Sequence, residues 1–99
     1  MTVQFTETEL HALRLCNPDY ALAEIKKMAG VAAKEAGVTL SRVLGDDRHY
    51  HIVRVRDIVI LKAHRDMGMG FPTIAAALGM ERTSIGTAVK RELERRGEA

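Results

Sequence analysis

FPTIAAALGMERTSIGTAVKR, residues 71–91, carries two runs of apolar residues at helical spacing, one on each side of Gly79. The two runs predict two short helices, and Gly79 stands where a residue in the left-handed conformation ends a helix. A small residue at Ala75 allows the helices to cross closely, and a branched residue at Ile85 fills the angle between them. This combination predicts a helix-turn-helix at about residues 71–95. An ordinary helical hairpin in a core is the alternative.

The second helix of this pair, from about residue 82 to residue 95, has a polar face opposite its apolar stripe. Short hydroxyl side chains near its start can approach base edges or phosphates, and the cations further along can reach backbone phosphates. A solvated surface helix would carry lysine and glutamate in balance. The pattern therefore favours insertion of this helix into a DNA major groove. The candidate DNA contacts on it are Arg82, Thr83, Ser84, Thr87, Lys90 and Arg91.

Size and composition indicate one compact helical domain over residues 1–99. The chain is 46% hydrophobic and 28% charged, which is typical of a soluble globular protein. It has no apolar run of membrane-spanning length and no signal-peptide pattern, so we expect a cytoplasmic location. The lone Cys16 falls on the apolar side of the first predicted helix, and we expect a buried, inert thiol there.

The charge is divided unevenly along the chain. Residues 1–47 carry five Lys/Arg against seven Asp/Glu, a balance of −2, and residues 48–99 carry ten against six, a balance of +4. The positive half contains the predicted helix-turn-helix, as an electrostatic footprint on nucleic acid requires. The asymmetry is small and supports DNA binding only together with the helix pattern.

Start and stop signals predict further helices and an all-α fold. Thr6 and Glu9 form a capping box, and Asn17 caps a helix whose first residue is Pro18. Glycines at the expected ends complete the boundaries. We predict helices at about 7–15, 18–36, 40–44, 54–67, 72–78 and 82–95, with Gly30 marking a close approach of another helix, and a fraying charged tail.

A polar loop, Asp46–His51, contains two acids and two histidines, but their spacing matches no zinc pattern. The other histidines, His11 and His64, are isolated on helices, and no pairing of a nucleophile with a base is present. We therefore expect neither an enzyme nor a cofactor or metal ion.

From about Ile25 to Leu93 the chain resembles the C-terminal DNA-binding domain of the bacterial replication initiator DnaA. The order of elements is the same: a helix, a VTLSRVLG turn, a basic loop, a long helix and the helix-turn-helix. Thr83-Ser84-Ile85 and Ala88 match the recognition-helix motif of that family, and Pro72 opens the preceding helix. The resemblance implies a fold like domain IV of DnaA.

The resemblance also implies roles for two arginines. In that family an arginine of the basic loop enters the minor groove, which by position is Arg54, with Arg56 near the DNA backbone. The family's Gly-Arg-Asp-His is replaced by the shorter Met80-Glu81-Arg82, so the pair that reads the initiator's target is absent. No phosphate-binding loop for a nucleotide is present. The chain also resembles transcriptional regulators of the gene-transfer-agent or phage type that carry a DNA-binding module of this kind.

Two functions follow as hypotheses. The first is sequence-specific binding of double-stranded DNA in a bacterial or phage-type transcriptional regulator, with Thr73 and the amides near Pro72 holding a phosphate at a helix N-terminus. The second is a protein–protein interaction module that docks on RNA polymerase or another regulator. A replication-initiator DNA-binding domain is a further alternative. The target sequence, the oligomeric state and the direction of control are left open.

Overall fold

The helix signals in the sequence define most of the boundaries in the computed structural model, which describes residues 2–98. The helices are α1 Glu7–Leu15, α2 Pro18–Ala36, α3 Leu40–Leu44, α4 Tyr50–Arg65, α5 Phe71–Leu78 and α6 Arg82–Arg95. No strand occurs within the described residues, and the all-helical class is confirmed. Across this same range, none of the helices combines the length and the apolar character that crossing a membrane requires.

The first two helices begin at the caps predicted for them. The Thr6 hydroxyl oxygen accepts the backbone N–H of Glu9 at 3.1 Å, and the Glu9 carboxylate accepts the N–H of Thr6 at 2.9 Å. The Asn17 side chain accepts the N–H of Asp19 at 2.9 Å, and Pro18 opens α2. Each cap satisfies donors that have no partner inside the helix.

A single apolar core joins α2, α4, α5 and α6. α2 packs against α3, α4 and α5, while α6 packs against α4 and α5. The largest fully buried apolar side chains come from these helices and the loop before α5; they are Ile25, Ile52, Ile60, Met69, Ile74 and Ile85. α6 is therefore fixed by its apolar face, and its polar face is left outward.

The turn between α5 and α6 has the backbone that its sequence predicts. Gly79 has φ of 67°, a left-handed conformation that side chains with a Cβ disfavour. The N–H of Met80 then bonds to the carbonyl of Ala75 at 3.0 Å and closes the end of α5. Ala75 and Ile85 are both buried, so the small residue and the branched residue pack inside the crossing as expected.

The prediction for the start of α4 was wrong. The helix begins at Tyr50, about one turn before Arg54, so Arg54 and Arg56 lie in α4 and not on a loop. Ile52 is fully buried and anchors this first turn in the core. Asp47 accepts the N–H of His49, the residue before the helix, at 2.9 Å. The histidines that suggested a loop therefore mark a helix start.

Two other local predictions were also wrong. Cys16 is exposed, because it caps the end of α1, a helix that contributes no fully buried residue. The C-terminal segment is held in place, since the Glu98 carboxylate accepts a hydrogen bond from Arg65 at 2.7 Å and Gly97 closes α6 with φ of 72°.

Gly30 does not mark a close helix approach, because a Cβ placed there would meet nothing within 4 Å. We therefore expect Gly30→Ala to raise the free energy of unfolding by about 1 kcal/mol, since alanine restricts the unfolded chain and favours the helix. Urea unfolding followed by circular dichroism measures this change. Gly79→Ala is the matched control, and its left-handed φ predicts a loss of about 1–2 kcal/mol. A loss at both sites would contradict the open environment of Gly30.

Candidate nucleic-acid interface

The outward face of α6 is exposed along the length that the sequence predicts. Thr83, Ser84, Thr87 and Lys90 are all exposed, and Arg82 is exposed at the start of the helix. The Thr87 hydroxyl donates to the carbonyl of Thr83 at 2.9 Å. Because the Thr87 hydroxyl already donates, its oxygen can only accept a further hydrogen bond. The oxygen lone pairs and the methyl group of Thr87 face outward.

A cleft of about 640 Å³ separates this face of α6 from the loop that connects α3 to α4. Thr83, Ser84, Thr87 and Arg91 line the helix side, and Gly45, Asp46 and Arg48 line the loop side. Arg48 is exposed and makes no ion pair within residues 2–98. The cleft thus places an exposed cation opposite the hydroxyl groups of α6.

Arg56 holds the loop side of this cleft in shape. Its Nε donates to the carbonyl of Val43 at 2.7 Å, and its Nη2 donates to the carbonyls of Arg42 and Asp47 at 3.1 and 2.9 Å. Burial lowers the pKa of the Arg56 guanidinium from its ordinary value. These three hydrogen bonds to backbone carbonyls stabilise the end of α3 and the loop that follows it.

Asp47 fixes the other end of the same loop. It accepts the N–H of His49, a hydrogen bond from Arg42 Nε at 2.8 Å, and a contact from His49 Nδ1 at 2.6 Å. These hydrogen bonds, that of the His49 backbone first, hold the pKa of the Asp47 carboxyl far below its usual range. No grouping of three or more His, Cys, Asp or Glu side chains that could hold a metal ion occurs in the described part of the chain.

Arg54, Thr73, Arg82 and Lys90 do not line the cleft. The Arg54 side chain is 44% exposed, and its Nε lies 3.5 Å from Glu92 Oε1 on α6. Thr73 is half-buried in the first turn of α5, and no side chain caps that helix start. The structure therefore gathers the α6 residues on one surface but leaves Arg54 and Thr73 outside the cleft.

Arg91 is tied to a buried carboxylate on α4. Its Nε donates to Asp57 Oδ2 at 2.7 Å and its Nη2 donates to Oδ1 at 2.9 Å, a bidentate pair. Arg95 Nη1 also donates to Asp57 Oδ2, at 2.8 Å. Asp57 is 1% exposed, whereas the Arg91 side chain is 42% exposed. The hydrogen bonds that Arg91 donates to Asp57 raise the pKa of Arg91 from its ordinary value.

A second buried carboxylate, Glu92, continues this network between α4 and α6. It accepts hydrogen bonds from Arg96 at 2.9 Å and Arg95 at 3.3 Å, and it lies beside Arg54. Burial opposes ionisation of Glu92, but the hydrogen bonds from Arg96 and Arg95 outweigh it and lower the pKa. Arg95 also lies over the ring of Tyr50, 5.4 Å from its centroid. The network fixes α6 to α4 by charge as well as by packing.

Sequence reasoning missed Asp57, Glu92 and Arg48. Asp57 stands within the apolar stretch of α4. This position was the one local signal that the acid is buried and therefore needs a cationic partner. Its partner, Arg91, lies 34 residues away, so periodicity within either helix does not reveal the pair. Arg48 could have been predicted, because it is the one Lys or Arg residue of the polar loop Asp46–His51.

A scan of protein-family models, a search of curated proteins and a search of solved structures each gave no match to this chain.

Proposed function

We propose that this chain is a sequence-specific double-stranded DNA-binding domain of a bacterial or phage-type transcriptional regulator. In this proposal α5, the Gly79 turn and α6 form a helix-turn-helix of the kind found in domain IV of DnaA. The observation that carries the proposal is the exposed hydroxyl-and-cation face of α6, which stands across a cleft from Arg48.

In this proposal one strand of a duplex lies along the cleft. When a helix lies in the major groove, the phosphate backbone beside it separates that groove from the adjacent minor groove. With α6 in the major groove, this backbone runs along the cleft and the loop on its far side reaches the minor groove. Arg48 then takes the minor-groove position that the resemblance gives to Arg54, since a narrow minor groove attracts an exposed arginine.

The other arginines of the sequence hypothesis take different roles. Arg56 supports the loop that carries Arg48, because its donors bond to backbone carbonyls. Arg54 and Arg82 lie outside the cleft and reach phosphates only if the duplex extends over them.

Base readout falls to the N-terminal half of α6. The Thr87 hydroxyl donates its hydrogen bond to the Thr83 carbonyl, so its oxygen accepts from the amino group of adenine or cytosine, while its methyl contacts a thymine methyl. Ser84 and Thr83 keep rotatable hydroxyl groups that donate or accept. Lys90 lies about two turns after Thr83 and contacts phosphate.

Selection of bound duplexes from a random pool, followed by affinity measurements at several salt concentrations, tests the proposal. We expect enrichment of one short motif, and a slope of log affinity against log salt of roughly −4 to −5 for about four to six neutralised phosphates. A flat salt dependence together with no enriched sequence would contradict DNA binding. A steep slope without enrichment would leave only sequence-independent binding and would contradict the proposed specificity.

A protein-interaction module is the second candidate, and one observation favours it. Val3, Phe5 and Leu13 are 73%, 50% and 51% exposed near the N-terminus, on the acidic half of the chain. Exposed apolar side chains of this size are common at protein–protein contacts. Retention of purified RNA polymerase at high salt, together with no retention of any duplex, would favour this function over DNA binding.

A further inference from the structure

We propose that Asp57 is a positioning residue for DNA recognition: it holds the Arg91 guanidinium at the mouth of the cleft, so that the free donors of Arg91 bind a backbone phosphate. This inference rests on the proposed DNA-binding function and names how one contact of that site is prepared. The residue that touches DNA is Arg91, and Asp57 acts through it.

The bidentate pair determines which donors of Arg91 face outward. Nε and one N–H of Nη2 point to Asp57, and Nη1 makes no hydrogen bond within residues 2–98. The side chain is 42% exposed and lines the cleft beside Thr87 and Ser84. A planar guanidinium with one edge fixed presents its remaining edge, Nη1 and the second N–H of Nη2, in a single orientation, which suits the oxygens of a phosphate.

The charge balance keeps this position attractive to an anion. Asp57 and Glu92 carry two negative charges. The arginines paired with them carry four positive charges; they are Arg54, Arg91, Arg95 and Arg96. A phosphate does not draw Arg91 away from Asp57, because that would remove a partner from a carboxylate that is 1% exposed. DNA is therefore expected to bind the pair as it stands.

Preorganisation explains why the pairing favours binding. A long side chain that is free in solution loses rotamer freedom when it binds, whereas Arg91 has already lost that freedom on folding. Lys90, its neighbour in the sequence, is exposed and has no ion pair within the described residues, so it binds phosphate as a mobile charge.

The test compares Arg91→Gln, Arg91→Lys and Asp57→Asn on the duplex selected for the wild-type protein. We expect Arg91→Gln to weaken binding on the order of tenfold on every sequence and to reduce the salt slope by about one. Arg91→Lys keeps the charge but not the planar fork, so we expect it to bind as weakly as Arg91→Gln. Arg91→Lys with wild-type affinity would show that charge alone matters and would overturn the inference.

The role of Asp57 is measured by a double-mutant cycle. We expect Asp57→Asn to weaken binding in the wild-type background and to cause no further loss in the Arg91→Gln background. Equal losses in both backgrounds would show a merely structural role and would overturn the inference. If Asp57→Asn is too unstable to assay, the Arg91→Lys comparison decides alone.

Failure of this inference is distinguishable from failure of the proposed function. If the wild-type chain enriches no duplex, both fail. If the wild-type chain binds a selected duplex and Arg91→Gln binds it equally well, DNA binding stands and the role of Arg91 and Asp57 is wrong. A loss confined to one base pair of the site would also overturn the phosphate assignment, because a phosphate contact carries no sequence preference.

Discussion

Asp57→Ala is expected to lower the free energy of unfolding by about 3 kcal/mol, the lower end of the range for breaking a buried ion pair. The substitution removes the acceptor of three hydrogen bonds that join α4 to α6. Arg91 can rotate into solvent, which limits the cost, but the Arg95 side chain is only 17% exposed and is left with a poorer set of partners.

For a chain of this length, such a loss corresponds to a fall in Tm of roughly 12–24 °C. Thermal unfolding followed by circular dichroism measures it. Asp66→Ala is the matched control, because Asp66, the residue after α4, is 55% exposed and pairs with Lys62 of that helix at 2.8 Å. We expect that exposed pair to contribute less than about 1 kcal/mol. Equal shifts for the two variants would show that the pairing of Asp57 does not stabilise the α4–α6 interface.

Lys90→Glu is expected to weaken binding to the selected duplex on the order of a hundredfold, because it sets a negative charge against phosphate. Lys90 is exposed on α6 and has no ion pair in the described chain, so its replacement leaves the fold intact. Fluorescence anisotropy at fixed salt measures the affinity, and circular dichroism confirms the helix content.

Lys26→Glu provides the control for this charge reversal. Lys26 is exposed on α2, and its replacement changes the net charge by the same amount. If binding depends on the α6 surface, Lys26→Glu keeps most of the affinity, because Lys26 lies on α2 and does not line the cleft. Equal losses for the two variants would point to net charge instead of a defined surface.

Local signals in the sequence were sufficient for most of the helix ends. The capping box at Thr6, the Asn17 cap and the left-handed glycine at Gly79 all act through neighbours within a few residues, so each could be predicted from its own stretch. The apolar stripes gave the buried face of α6 for the same reason. The start of α4 was missed because it has no capping signal in the sequence. The burial of Ile52 extends the helix into a polar segment.

For the candidate surface, too, the sequence was sufficient for some features and not for others. The exposure of Thr83, Ser84, Thr87 and Lys90 follows from helical periodicity, which any amphipathic helix obeys. The roles of the arginines do not follow from periodicity. Arg54, Arg56 and Arg91 are all arginines within helices, yet their partners differ. Arg54 lies beside Glu92, Arg56 donates to backbone carbonyls, and Arg91 pairs with Asp57.

The sequence by itself determined the all-helical class, the α5–α6 turn and the polar face of α6, because each depends on interactions between residues close together in the chain. Only the tertiary structure decided which arginines are paired with buried carboxylates or with backbone carbonyls. That choice depends on where α4 packs against α6, which brings Asp57 within 2.7 Å of Arg91, 34 residues later. A buried carboxylate must be paired, and the partner is set by the packing of the two helices.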